Sequence, residues 1–156
     1  MTKKPKSVAT ILERELEPTI KEWLRRVNLL PALTHTPLND EDRVVHLPNL
    51  FHDLACRLRL PKDAHLPMST AATAHGQTRR DQGYSPAMLV EESRLFQVVT
   101  FQTLHRHQGE LDQDQVLLDV MVIADEVDLQ LMQAVRCWET PRAQPVVSAR
   151  HSIRRD

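Results

Sequence analysis

Apolar residues recur every three or four positions over most of the chain, a spacing that predicts helices and not strands. The first stretch runs from about Ser7 to Leu30, with Val8, Ile11, Leu12, Leu16, Ile20, Trp23, Leu24, Val27 and Leu30 in register. Pro18 lies inside it. Proline lacks an N–H and its ring clashes with the preceding turn, so a kink or a second segment starting near Glu17 is expected. Pro31 to Pro37 reads as a loop. A second helix is expected from Asn39 or Asp40, because Asn39 can cap it and Asp40, Glu41 and Asp42 suit the positive end of the helix dipole. Val44, Leu47, Phe51, Leu54, Ala55 and Leu58 form its stripe, Pro48 predicts a bend, and Pro61 ends it.

A third helix is expected after Pro67, capped by Ser69 and ended by Gly83, with Met68, Ala71 or Ala72, His75 and Arg79 in line on its inner side. Ser85 and Pro86 then read as the cap and first residue of a fourth helix. That helix runs to about His107, with Leu89, Phe96 and Val99 on one face and Gly109 marking its end. The fifth helix is expected from about Asp112 to Trp138 or Glu139. One stripe of it, Leu117, Val120, Met121, Ala124, Val127, Leu131, Val135 and Trp138, suffices to close a bundle. A second stripe, Leu118, Val122, Leu129 and Met132, is left over and predicts a homodimer interface. The architecture expected is therefore all-α: a bundle of about five helices, two of them proline-kinked, with antiparallel neighbours joined by short connections. Residues 1–139 form this domain, and 140–156 are expected to be a linker or disordered tail.

Composition removes several classes of function. In 156 residues, 20 Lys and Arg face 21 Asp and Glu, so charge gives no reason to expect a nucleic-acid partner. Only three glycines are present, too few for the usual phosphate-binding loops or for a many-stranded sheet. Cys56 and Cys137 lie in apolar stretches far apart, with no zinc-type spacing, and read as buried thiols. No secretory h-region is visible at the N-terminus. The longest apolar run, Val116 to Ala124, is short and broken by Asp119, so no membrane insertion and a cytoplasmic location are expected.

Candidate chemistry concentrates between Ala71 and Phe96. The third and fourth helices form a hairpin turning at Gly83 and Tyr84, and in such a hairpin positions equally far from the turn face each other. His75 stands about eight residues before the turn and Glu92 about eight after, both on apolar stripes. A buried carboxylate is costly unless paired, so a His75–Arg79–Glu92 cluster is expected, as a structural pin or a ligand-sensing site. A histidine phosphotransfer domain using His75 is the alternative, and it needs an exposed ring. His46 and His52 are six apart, and His105 and His107 two apart, which places neither pair on one face. No metal site and no cofactor is expected. Asp119, Asp125, Glu126 and Asp128 lack the Glu-x-x-His pattern of di-iron bundles and read as a solvated face.

The segment from His75-Gly76 through Arg79, Gln82, Gly83, Tyr84 and Ser85, followed by Leu89, Glu92 and Leu95, resembles the central motif of the RsbRD N-terminal domain. That is the helical input domain of RsbT co-antagonist-type stress regulators, and similar domains precede bacterial sensor histidine kinases. The Trp23 helix, the Leu47-Pro48 helix and the long last helix come in the order the likeness requires. Ser93 and Phe96-Gln97 depart from it, standing where a bulkier aromatic and a leucine-arginine pair are more typical. The resemblance implies a globin-like or bundle-like sensory domain, usually dimeric, without enzymatic activity, acting on a fused or separate output module of stress or two-component signalling.

Overall fold

The computed structural model describes residues 4–142. Most of the expected tail, residues 143–156, lies outside the described residues. The chain is all-α. Its helices are α1 (Val8–Arg14), α2 (Leu16–Asn28), α3 (Pro31–Thr34), α4 (Asp40–Val44), α5 (Leu47–Arg59), α6 (Thr70–Asp81), α7 (Pro86–Arg106) and α8 (Val116–Val135), with single 3₁₀ turns at Gln108–Glu110 and Arg136–Trp138. An isolated bridge pairs Lys6 with Leu111.

The helix starts follow capping chemistry. Ser7, Asn39, Ser69 and Ser85 each accept a hydrogen bond from the backbone N–H three residues on, at 2.7–3.3 Å. Pro18 begins a second segment, one of the two outcomes expected of it, and Pro48 starts a helix where a bend was expected. Pro18 is the third residue of α2, after a break at Glu15, and Pro48 is the second residue of α5, after a break at Val45–His46. In a first turn the missing N–H has no intrahelical partner to lose, so proline starts a helix there without strain. Two kinked helices thus become four straight ones. By the same rule Pro31 opens α3, where a loop was expected.

α8 packs against α5, α6 and α7. It turns Val122, Ile123, Glu126, Val127, Gln130 and Ala134 inward. The stripe expected to close the bundle is displaced: Leu117 is 68% exposed and Met121 62%. Of the expected dimer stripe, Val122 is buried within the chain and Leu129 half-buried, while Leu118 and Met132 are exposed, with exposed Asp125 between them on that face. α8 is apolar nearly all round, so periodicity alone cannot choose its face. Met68, expected inward, is exposed, and Cys56 is half-buried while Cys137 is buried.

Glu126 corrects the solvated-face reading. It is buried, and burial pushes its carboxyl up to about 7; Asp53 and Asp125 add to this and Arg57 opposes it. Asp119 is paired with Lys62, and Asp125 and Asp128 are exposed.

α6 and α8 touch backbone to backbone. A Cβ added at Gly76 would lie 2.2 Å from the Ala134 carbonyl oxygen and 2.6 Å from its Cα. Gly83 is the opposite case: space around it is open, but its φ is +91°, in the left-handed region.

Two expectations follow. Gly76→Ala should cost about 3 kcal/mol by forcing the helices apart, and Gly83→Ala about 1–2 kcal/mol from backbone strain alone. Urea denaturation checks the order, and equal losses would refute the distinction. For Glu126 the folded state holds its proton over the interval in which the unfolded chain releases it. The stability this contributes is present below the ordinary carboxylate value of 4.5 and is lost as pH rises through about 7. Stability measured at pH 5 and pH 8 should therefore fall by on the order of 1 kcal/mol more in the native chain than in Glu126→Gln.

Candidate functional site

The turn between α6 and α7 sets the site. The Gly83 N–H donates to Arg80 O at 3.1 Å and the Tyr84 N–H to Arg79 O at 2.9 Å, the two bonds of a Schellman C-cap. The motif needs glycine at the left-handed position, which Gly83 supplies. It swings Tyr84 back against the helix it has just left, with the Arg79 guanidinium 5.1 Å from the ring centroid.

Arg79, Tyr84 and His75 converge on Glu92, which is 2% exposed. Tyr84 Oη donates to Glu92 Oε1 at 2.7 Å, and Arg79 Nε donates to Oε2 at 2.9 Å. His75 Nε2 lies 3.2 Å from the same Oε2. The three residues singled out from the sequence are thus brought together, and Tyr84, read as a turn residue, joins them. Arg79 is fully buried, and its remaining donors reach Asp42 O, Arg43 O and the Gln82 side chain at 2.6–3.1 Å. Trp23 Nε1 donates to the backbone oxygen of Glu92 at 3.1 Å, which fastens α2 to α7.

Sequence reasoning missed Arg43 and His46. Arg43 is buried and donates to Tyr84 Oη at 3.1 Å and to Thr36 O at 3.1 Å. The signal was present: Arg43 stands four residues before Leu47 on the apolar stripe, the argument that found Glu92. His46 sits edge-on to His75, ring centroids 5.6 Å apart, and its Nε2 lies 3.1 Å from Thr78 Oγ1.

The electrostatics follow from packing. Burial alone would raise the Glu92 carboxyl, but hydrogen bonding to His75 and the charge and hydrogen bond of Arg79 outweigh it, so the group is held below the ordinary carboxylate range. Tyr84 is pushed above the usual phenol value by burial and by the Glu92 charge. His46 is lowered by burial and by the nearby His75 and Arg79 charges. Both oxygens of Glu92 are engaged, so it works as an ionised pin; it can take up a substrate proton only after a partner leaves. Among the described residues no group of three or more His, Cys, Asp or Glu is arranged to hold a metal. None of their helices is long and apolar enough to cross a membrane.

Comparison with protein-family models, with curated proteins and with solved structures finds no match to the chain.

Removing one partner of a buried ion pair leaves the other charge uncompensated. Glu92→Ala should therefore cost about 3–5 kcal/mol and Tyr84→Phe about 1 kcal/mol, read by chemical denaturation. A Glu92→Ala loss no larger than that of an exposed position would show that the cluster does not hold the fold together.

Proposed function

We propose that the chain is a non-enzymatic input module of the RsbRD N-terminal type, a cytoplasmic sensory domain of bacterial stress or two-component signalling. The observation that supports this reading is the coincidence of motif and cluster. His75, Arg79, Tyr84 and Glu92, four of the residues on which the sequence resemblance rests, meet in the buried polar centre. A network in which the donors of one carboxylate tie α4, α6 and α7, with α2 bonded to the backbone of the same residue, is suited to passing a local change to several helices at once. The phosphotransfer alternative needs an accessible imidazole, and His75 is only 7% exposed. That weighs against its meeting the aspartate of a response regulator.

Such a module acts through a dimer. Leu117, Leu118 and Met121 at the start of α8 are exposed and adjacent, and Met132 lies further along that helix. In this reading they form a homodimer contact that lets a change in the cluster reposition an output module. Sedimentation equilibrium is expected to give a dimer above micromolar concentration, and Leu118→Asp with Met121→Asp is expected to give a folded monomer. A native chain that stays monomeric well above micromolar concentration would overturn this mode of action.

A further inference from the structure

A cavity of about 40 Å³ lies beside the Glu92 cluster, among α2, α5, α6, α7 and α8. Its wall is mostly carbon, with Trp23, Leu50 and Phe96 prominent, and its polar lining is His75, Glu92, Ser93 and Gln130. Ser93 and Leu131 are the half-buried lining residues and the others are buried, so the mouth opens between α7 and α8.

A second observation concerns the His75 ring. Its Nδ1 is buried and has no hydrogen-bond partner. The 3.2 Å contact of Nε2 with an ionised carboxylate requires the ring proton to sit on Nε2, since two lone pairs would repel. Nδ1, a lone pair on the neutral ring and an N–H on the imidazolium, has nothing to bond to in either state. Buried polar atoms without a partner are few in folded proteins. Here one belongs to a residue that lines a cavity.

The size and lining limit the occupant. One water-sized sphere needs roughly 10–15 Å³, so the space suits a molecule of about three or four non-hydrogen atoms. A water wants two to four polar partners, which a mostly apolar wall supplies poorly. A charged molecule fits poorly, because an anion would face the Glu92 carboxylate and for a cation that charge is already balanced by Arg79. One hydroxyl, which can donate or accept, on a short alkyl chain matches one unpartnered ring nitrogen set in a mostly apolar wall.

We propose that this cavity binds a small uncharged alcohol, its hydroxyl hydrogen-bonded to His75 Nδ1 and its alkyl end resting against Trp23 and Phe96. The site itself stands on the geometry. Its regulatory meaning rests on the input-module reading, to which it adds the chemical class of the signal.

The test titrates n-propanol into the full chain carrying ¹⁵N-labelled histidine and tryptophan. The expected result is saturable binding in roughly the millimolar range, as so small a ligand allows. The His75 Nδ1 resonance should move as a newly formed hydrogen bond requires, and the Trp23 indole resonance should follow the same curve. Ser93→Met, which places bulk at the mouth, should weaken binding ~tenfold or more with the unfolding midpoint unchanged. Leu131→Phe takes its place if that variant does not fold. Propionate and propylammonium should not bind. Shifts that stay linear, an equal response in the mouth variant, or a His75 Nδ1 already bonded to water and unmoved by n-propanol would overturn the proposal. A monomer that binds n-propanol keeps the site and loses the dimeric input module; a dimer without saturable binding does the reverse.

Discussion

An ionised carboxylate inside a protein must be surrounded by donors or be given up, and the interior of this chain is organised around that requirement at Glu92. Its donors come from separate places: a histidine and an arginine from α6 and a tyrosine from the turn after it. Arg79 must itself be satisfied, which draws in the carbonyls of Asp42 and Arg43 at α4. Trp23 adds α2 through the backbone of the same residue. Apolar burial supplies most of the driving force for collapse but has no direction. The hydrogen bonds at Glu92 do have direction, and they fix how α2, α4, α6 and α7 are set against one another.

The N-terminal region is held by different means. α1 buries Val8, Ala9, Ile11 and Leu12 against the core. Around this, Lys6 and Arg14 pair with Glu110, and Arg59 pairs with Glu13. These ion pairs are partly or largely exposed, and such pairs contribute little each and weaken with salt. Packing therefore anchors α1, and its charges select register. The contrast with Glu92 is one of solvent: the same chemical pairing is a minor term at the surface and a decisive one where water is excluded.

The parts of the structure that could be read from sequence are those set by local rules or by strict pairing. Caps at Asn39, Ser69 and Ser85 depend on one side chain and a backbone N–H three residues away. The Gly83 turn depends on one dihedral angle, and the facing of His75 and Glu92 follows from counting outward from that turn. Reading failed where neighbours decide the outcome. α8 is bordered by three helices and apolar nearly all round, so which of its residues face solvent is settled by α5, α6 and α7. Glu126 looks like its acidic neighbours in sequence and differs only in what packs over it. The apolar stripe marks Arg43 as facing inward, but Arg43 and His46 reach the cluster from a distant segment, and spacing does not say which buried groups they meet. Pro18 signalled either a kink or a new segment and the structure has the new segment, whereas Pro48 was read as a bend, because the break before it at Val45–His46 carries no mark of its own.

The missing side chain at Gly76 has a mechanical consequence. Elsewhere in the bundle, side chains stand between helix axes and can change rotamer to absorb a displacement. Where α6 meets Ala134 there is only backbone on both sides, and peptide units do not deform in that way. The two helices are consequently coupled stiffly at this point, free to slide along the contact but not to approach further. His75 is the preceding residue. A displacement of α6 toward α8 at that ring therefore has no side chain to absorb it, and α8 is the helix that leads into the Arg136–Trp138 turn.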